Sequence, residues 1–260
     1  MENPRRYGDA HYKVALVHGG PGAPGEMAPV AGELSSSYGV LEPLQTQATL
    51  EGQLEELRAL LEENGDLPVT LVGYSWGAIL SFVFAARNPS YVDKLILVSS
   101  GVFEDTYVKR IKSNRLKRLN EQERARLEGL MSVMNDPNAQ EKDAAFAQLG
   151  ELLDKADSYD PLPHENDTIA YQHDIFKGVW DGAEVLRSSG QLLRMGKEIA
   201  CPVVAIHGDF DPHPYEGILS PLSRVLLDFR LILLDKCGHH PWYEKHAKDE
   251  FYAALKREIG

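Results

Sequence analysis

The segment Gly73-Tyr74-Ser75-Trp76-Gly77 places a serine between two glycines at the end of an apolar stretch. The residues before it (VTLV, 69–72) are rich in β-branched side chains, and the residues after it (AILSFVFAARN) have a helical pattern with no loop between. A strand that turns this sharply into a helix strains the backbone of its central residue and exposes that side chain at the carboxyl end of the strand. A Cβ at either glycine would collide with a neighbouring strand or helix. Ser75 is therefore a candidate nucleophile.

Two later loops carry the side chains that such a serine needs. A serine hydroxyl is a weak nucleophile at neutral pH, so it requires a general base and a carboxylate that orients the base. The loop after an apolar strand at 202–207 reads GDFDPHP and offers Asp209 and Asp211 as the acid. The loop after the strand at 230–234 reads DKCGHHPW and offers His239 and His240 as the base.

The elements that must bring these loops together alternate along the chain. Apolar strands are predicted at 13–18, 38–44, from residue 69 to the serine turn, and at 93–99, 202–207 and 230–234; helices are predicted at 28–37, 50–64, 215–227 and 242–259. This alternation predicts an α/β fold with a mostly parallel sheet covered by helices on both faces. Between residues 102 and 199 charged helical patterns replace the alternation. We therefore predict a core formed by residues 1–101 and 200–260, into which residues 102–199 are inserted as a helical cap.

Four motifs follow one another in the order used by a known family: HGGPG at 18–22, GYSWG at 73–77, GDFD at 208–211 and GHHPW at 238–242. Over nearly its whole length the sequence resembles the α/β-hydrolase family. HGGPG together with a tryptophan directly after the serine is most similar to the proline iminopeptidase branch. The resemblance implies an α/β-hydrolase fold with a helical cap, and it assigns the site as follows: Ser75 the nucleophile, Asp211 the orienting acid, His239 the base, and the backbone N–H groups of Gly20 and Trp76 the oxyanion hole.

The neighbouring candidates then take structural roles. Asp209 is expected to brace its loop and His240 to pack, because the family pattern favours Asp211 and His239. His18 is expected to hold the glycine loop by hydrogen bonds, and the ring of Trp76 to pack. His213 is interpreted as structural, since no clustered Cys/His spacing indicates a metal. We predict neither a metal nor a cofactor.

Two departures from the family pattern affect these expectations. Only about a dozen residues precede the first predicted strand, so we expect six or so strands, beginning with the one before HGGPG. The Asp-x-Arg-Gly-type loop of proline iminopeptidases is replaced here by VLEPLQTQ at 40–47. Aminopeptidases of that branch hold the substrate's amine with cap carboxylates, for which Glu165 and Asp167 are the candidates in this chain.

Composition and charge limit the kinds of partner that the protein is expected to bind. The chain has 260 residues and a formal net charge of −12, which argues against a nucleic-acid or anionic-membrane surface. The basic run Lys109–Arg118 is predicted to be one solvated face of a helix. No apolar stretch is long enough to cross a bilayer, and the first ten residues lack the apolar core of a signal peptide, so we predict a cytoplasmic protein. Cys201 and Cys237 are too few for a disulfide framework.

These observations predict a serine hydrolase that cleaves a small ester or amide through an acyl-enzyme. Two alternatives stay open from the sequence. One is a proline iminopeptidase-like aminopeptidase, and the other is a small-ligand binding protein that keeps the same side chains without turnover. The oligomeric state is left open.

Overall fold

The computed structural model describes residues 2–260 and contains one seven-stranded sheet flanked by helices. The strands are β1 (Arg5–Tyr7), β2 (Tyr12–Val17), β3 (Gly39–Glu42), β4 (Val69–Tyr74), β5 (Val92–Val98), β6 (Val203–Gly208) and β7 (Phe229–Leu234). The helices are α1 (Ala28–Leu34), α2 (Leu50–Asn64), α3 (Trp76–Arg87), α4 (Asp105–Arg118), α5 (Glu121–Asn135), α6 (Lys142–Asp157), α7 (His173–Ser188), α8 (Gln191–Met195), α9 (Glu216–Leu222) and α10 (Lys248–Ile259).

The strands are ordered β1-β3-β2-β4-β5-β6-β7 across the sheet. All neighbouring pairs are parallel except β1 with β3, which is antiparallel. Parallel strands end at the same edge, so the loops after β2, β4, β6 and β7 meet there. The predicted α/β fold class is confirmed.

The expectation of six strands beginning before HGGPG is wrong by one strand, because β1 precedes it. Its sequence, Arg-Arg-Tyr, has no apolar pattern by which a strand could be recognised. The strand is held instead by Glu42 of β3, which is buried and lies 2.5 Å from the Arg5 guanidinium. The Tyr7 hydroxyl donates to the same carboxylate at 2.9 Å. Burial raises the pKa of Glu42, while Arg5 and Tyr7 partly offset that effect.

The centre of the sheet is buried on both faces, as the apolar runs predict. Along β2, Ala15 and Val17 pack in one apolar layer with α2 and α3, whereas Val14 and Leu16 pack in the other with α1 and α10. Helix α3 is buried along nearly its whole length, from Trp76 to Ala86. A helix that is apolar all round is stable only inside the molecule. The turn at Ser75 therefore lies between two buried elements, β4 before it and α3 after it.

The last helix begins later than the sequence predicts, at Lys248 rather than at residue 242. Trp242 lies in the preceding turns, where its ring packs edge-on against Tyr74 at 4.7 Å and near Phe251. Its apolar side chain belongs to the core and not to a helix face, which explains the wrong boundary. The helix predicted at 215–227 is likewise shorter, spanning α9.

Helices α4 to α8 all lie in the chain between β5 and β6, where helical patterns were predicted. Their grouping as a separate cap stays a prediction.

The basic run Lys109–Arg118 was predicted to be a solvated face of a helix, and this prediction is wrong for two of its residues. Arg115 forms an ion pair with buried Asp157 at 2.6 Å, and the Arg118 guanidinium lies 3.7 Å over the Phe210 ring. The lysines of the run are exposed.

Within residues 2–260, no helix combines the length and the apolarity that crossing a bilayer requires.

The packing at Gly77 generates a test of the turn between β4 and α3. A Cβ at Gly77 would lie 2.2 Å from the Val17 carbonyl oxygen and 2.4 Å from that of His18, both backbone atoms that cannot yield. We expect Gly77→Ala to lower the free energy of unfolding by about 3 kcal/mol or more in urea titrations.

Gly129→Ala in α5 is the matched control, because a Cβ there has no neighbour within 4 Å. In a helix interior this change should stabilise the protein by about 0.5–1 kcal/mol. Equal unfolding midpoints for the two variants would contradict the close approach at Gly77.

Candidate active site

Ser75 stands between β4 and α3 with backbone angles φ 51° and ψ −113°. Non-glycine residues rarely adopt a positive φ, so the predicted strain is confirmed. The two flanking glycines are required for the predicted reason, since a Cβ at Gly73 would lie 2.3 Å from the Gly77 carbonyl oxygen. The first turn of α3 therefore lies directly against the strand, and the serine is presented at the carboxyl edge of the sheet.

The structure brings Ser75, His239 and Asp211 into one chain of hydrogen bonds. The Ser75 Oγ lies 3.0 Å from His239 Nε2, and His239 Nδ1 lies 2.7 Å from Asp211 Oδ2. Because the carboxylate can only accept, Nδ1 carries the proton and Nε2 is left to accept from the hydroxyl. His239 and Asp211 are buried, while Ser75 is partly exposed.

The competing acid and base lie elsewhere in the same loops. Asp209 accepts the backbone N–H of Cys237 at 3.1 Å and so links the two loops. His240 Nδ1 lies 3.1 Å from Asp154 of α6, and its Nε2 lies 3.9 Å from Glu26. Burial by itself would lower the pKa of His240, but these two carboxylates outweigh it and raise that pKa to about 10. A histidine that stays protonated at neutral pH cannot accept a proton from serine.

Asp211 is surrounded by three imidazoles, two of which donate hydrogen bonds to it. Its Oδ1 accepts from the backbone N–H and from Nδ1 of His213, each at 2.8 Å, and His207 Nε2 lies 3.6 Å from Oδ2. Burial would raise the pKa of Asp211, yet its interactions with His239, His207 and His213, which include the hydrogen bond from His213, hold that pKa well below its usual range. The carboxylate is therefore ionised at neutral pH.

These same side chains form the one group in residues 2–260 whose spacing could suit a metal ion. The ligand atoms of Asp211, His213 and His239 lie within 4.8 Å of one another. The two Nδ1–H groups donate directly to the carboxylate, so a metal at these atoms would have to displace both protons. The hydrogen bonds match an acid with two imidazole donors.

The HGGPG loop follows β2 and lies beside the serine turn. His18 is buried, and its Nδ1 donates to the Gly19 carbonyl at 2.9 Å while its Nε2 accepts the backbone N–H of Gln45 at 3.1 Å. Burial lowers the pKa of His18 to about 4, so the ring is neutral and serves as a link between the loops. The predicted loop-holding role of His18 is confirmed.

The two backbone groups predicted as an oxyanion hole are free to act as donors. Neither the Gly20 nor the Trp76 N–H donates to another group of residues 2–260. Gly20 is partly exposed, and Trp76 is the first residue of α3. The Trp76 ring is buried and its Nε1 donates to Gln53 at 3.0 Å, so the side chain packs as predicted.

Two residues that position His239 were not found from the sequence. Asp157, at the end of α6, accepts the His239 backbone N–H with its carbonyl oxygen at 2.9 Å. The buried carboxylate of Glu244 accepts three backbone N–H groups, from Gly238 at 2.9 Å, Tyr159 at 2.7 Å and Asp160 at 2.9 Å. A glutamate in a short polar segment carries no motif, so no sequence signal could have distinguished Glu244 from a surface residue.

Of the two candidate amine-binding carboxylates, Glu165 and Asp167, only Asp167 has a hydrogen-bond partner in residues 2–260. Asp167 accepts the Tyr243 hydroxyl at 2.8 Å, and Glu165 is exposed. The segment that contains them packs on the glycine loop, where Ile169 and Gln172 donate their N–H groups to Pro24 and Gly22. In this structure the segment thus supports the loop beside the serine.

The profile of the alpha/beta hydrolase fold family matches residues 21–245, and the chain belongs to that family. A hydrolase of 2-hydroxy-6-oxo-6-phenylhexa-2,4-dienoate from Rhodococcus sp. strain RHA1 superposes with a TM-score of 0.64, at 19% identity over 98% of both chains. A proline iminopeptidase from Mycobacterium smegmatis superposes with a TM-score of 0.62, at 19% identity over 98% of this chain and 93% of that one. At this identity the likeness establishes the fold.

A curated relative, cis-3-alkyl-4-alkyloxetan-2-one decarboxylase from Shewanella oneidensis, is 34% identical over 56 residues. The match spans 21% of this chain and 18% of that relative's length. The comparisons thus establish the family to which the chain belongs.

Glu244 provides a test of how the His239 loop is held. In Glu244→Gln an amide N–H₂ replaces an acceptor that faces backbone donors, which leaves buried groups unpaired. We expect the free energy of unfolding to fall by about 2–3 kcal/mol in urea titrations.

Glu250→Gln in the exposed first turn of α10 is the control and should stay within about 0.5 kcal/mol of the wild type. A Glu244→Gln protein as stable as this control would show that the three N–H groups do not depend on the carboxylate.

Proposed function

We propose that the protein is a serine hydrolase that cleaves a small ester or amide through an acyl-enzyme. The observation that carries the proposal is the continuous hydrogen-bonded chain from the Ser75 hydroxyl through His239 to Asp211, at 3.0 and 2.7 Å. Nucleophile, base and orienting acid come from three separate loops, after β4, β7 and β6. Stability does not require such an arrangement, since replacing buried charged groups by well-packed apolar side chains of similar volume is often neutral or stabilising.

In the proposed reaction the Ser75 oxygen attacks the substrate's carbonyl carbon as its proton moves to His239 Nε2. Asp211 stays ionised and stabilises the imidazolium that forms. The free N–H groups of Gly20 and Trp76 donate to the developing oxyanion. The bond to the leaving group then breaks, and His239 returns the proton to that group.

The acyl-enzyme is resolved by the same groups. Water gives a proton to His239 Nε2 as its oxygen attacks the acyl carbon, and the proton returns to Ser75 when the acid product leaves. Each proton that His239 takes is given back within the cycle, so the reaction requires no cofactor.

The first test is the intact mass of the protein after treatment with a fluorophosphonate, which phosphonylates activated serines. We expect one adduct on the wild type and none on Ser75→Ala. Ser113→Ala is the matched control, because Ser113 is exposed on α4 and belongs to no part of the proposed site. It should be labelled like the wild type.

A folded wild type that gains no adduct would contradict the hydrolase proposal and favour the ligand-binding alternative from the sequence. An adduct that persists on Ser75→Ala would place the reactive serine elsewhere. Comparing p-nitrophenyl acetate with proline p-nitroanilide then separates an esterase from a proline iminopeptidase-like aminopeptidase.

A second test uses the two aspartates of the GDFD loop. Asp211→Asn should lower kcat by about 10³–10⁴-fold on any substrate found, because the amide no longer fixes the tautomer of His239. Asp209→Asn keeps an oxygen that can accept the Cys237 N–H, so kcat should stay within about threefold of the wild type. The reverse order of effects would move the acid role to Asp209.

A further inference from the structure

The carboxylate of Asp211 accepts a hydrogen bond from a second imidazole, that of His213, which has no role in the proposed mechanism. Two donors of His213, its backbone N–H and its Nδ1–H, both reach Oδ1 at 2.8 Å. The other oxygen, Oδ2, faces His239. Both oxygens of the acid are thus engaged, one by each histidine.

His213 is itself fixed by its surroundings. Its carbonyl oxygen accepts from Nε2 of His207, in β6, at 2.7 Å. Its ring stacks on that of His239 with centroids 4.8 Å apart and planes inclined by 29°. The residue is 8% exposed. A loop side chain held by its backbone, its ring face and its Nδ1 has one orientation toward Asp211.

We propose that His213 is a positioning residue for the general base, which orients the Asp211 carboxylate toward His239 and limits the basicity of the oxygen that His239 contacts. The role rests on the proposed serine hydrolase mechanism. His213 touches neither the serine nor the substrate carbonyl in that mechanism, and it acts through Asp211.

The expected direction follows from how a carboxylate shares its charge. A donor on Oδ1 stabilises the anion, because hydrogen bonds to charged acceptors are among the strong ones in proteins. Without that donor the carboxylate attracts the proton on His239 more strongly. The base would then stay protonated to a higher pH, and the carboxylate, held at Oδ1 by the backbone N–H alone, would be aligned less firmly.

The charged and titratable groups facing His213 are Asp211 in its own loop, His207 in β6, His239 in the loop after β7, and Arg115 in α4. Burial lowers the pKa of His213 to about 4, against the attraction of Asp211. His213 is therefore neutral across the pH range of an assay. It adds a hydrogen-bond donor to the network and no positive charge that would repel the imidazolium of His239.

The test compares His213→Asn with His213→Gln. The side-chain amide nitrogen of asparagine lies about where Nδ1 does and can donate to Oδ1, whereas that of glutamine lies about where Nε2 does. The readouts are the rate constant of fluorophosphonate labelling from pH 5 to 9, and kcat and KM for p-nitrophenyl acetate.

We expect His213→Gln to label about 10- to 100-fold more slowly at pH 7, with kcat lowered and KM nearly unchanged. The acid limb of its pH profile should move to higher pH by about half a unit or more. His213→Asn should retain the wild-type rate within about threefold and the wild-type acid limb. His213→Leu has no polar group in its side chain and should give the same result as His213→Gln. It replaces the glutamine variant if that variant does not fold.

Folded Gln and Leu variants with the wild-type rate and pH profile would overturn the proposal. Equal rate losses in the Asn and Gln variants with an unshifted acid limb would also overturn it, since a purely structural role predicts that pattern. A wild type that is never labelled would overturn the serine mechanism itself and this role with it. Labelling of the wild type with no difference among the variants would overturn only the role of His213.

Discussion

The backbone of Ser75, at φ 51° and ψ −113°, lies in a region that costs a non-glycine residue about 1–3 kcal/mol. The strand before it and the helix after it hold that conformation, because both are buried and neither can shift. Gly73 and Gly77 allow the helix to approach the sheet within a distance that a methyl group would fill. With the serine fixed at the carboxyl edge of β4, the loops that end the neighbouring parallel strands can reach it.

Three histidines near this edge differ in their surroundings, although they are the same residue type. His18 is neutral because burial lowers its pKa to about 4, and it links two loops. The carboxylates of Glu26 and of Asp154 in α6 raise the pKa of His240 to about 10. His239 differs from both in its partners, a carboxylate on one nitrogen and a hydroxyl on the other. Residue type alone does not distinguish them, whereas their contacts do.

Strand periodicity and turn chemistry were sufficient to predict the parallel sheet, the turn at Ser75 and the loops that follow β6 and β7. These features depend on interactions between residues close in sequence. What the sequence did not reveal depends on distant partners. The strand β1 is held by Glu42, and the late start of α10 follows from the burial of Trp242 against Tyr74. Arg115 turns inward because it pairs with the buried carboxylate of Asp157, which lies 42 positions away in the sequence.

The same limit applies to Glu244, whose three backbone partners come from two segments that are about 80 residues apart in the chain. One of those segments, at the end of α6, also accepts the His239 N–H through Asp157. The helices between β5 and β6 are therefore not interchangeable as a block. A relative's helices would keep these hydrogen bonds only if the last turn of α6 and the segment after it placed the same backbone groups at positions 157, 159 and 160, which defines where a chimaera of this protein should be joined.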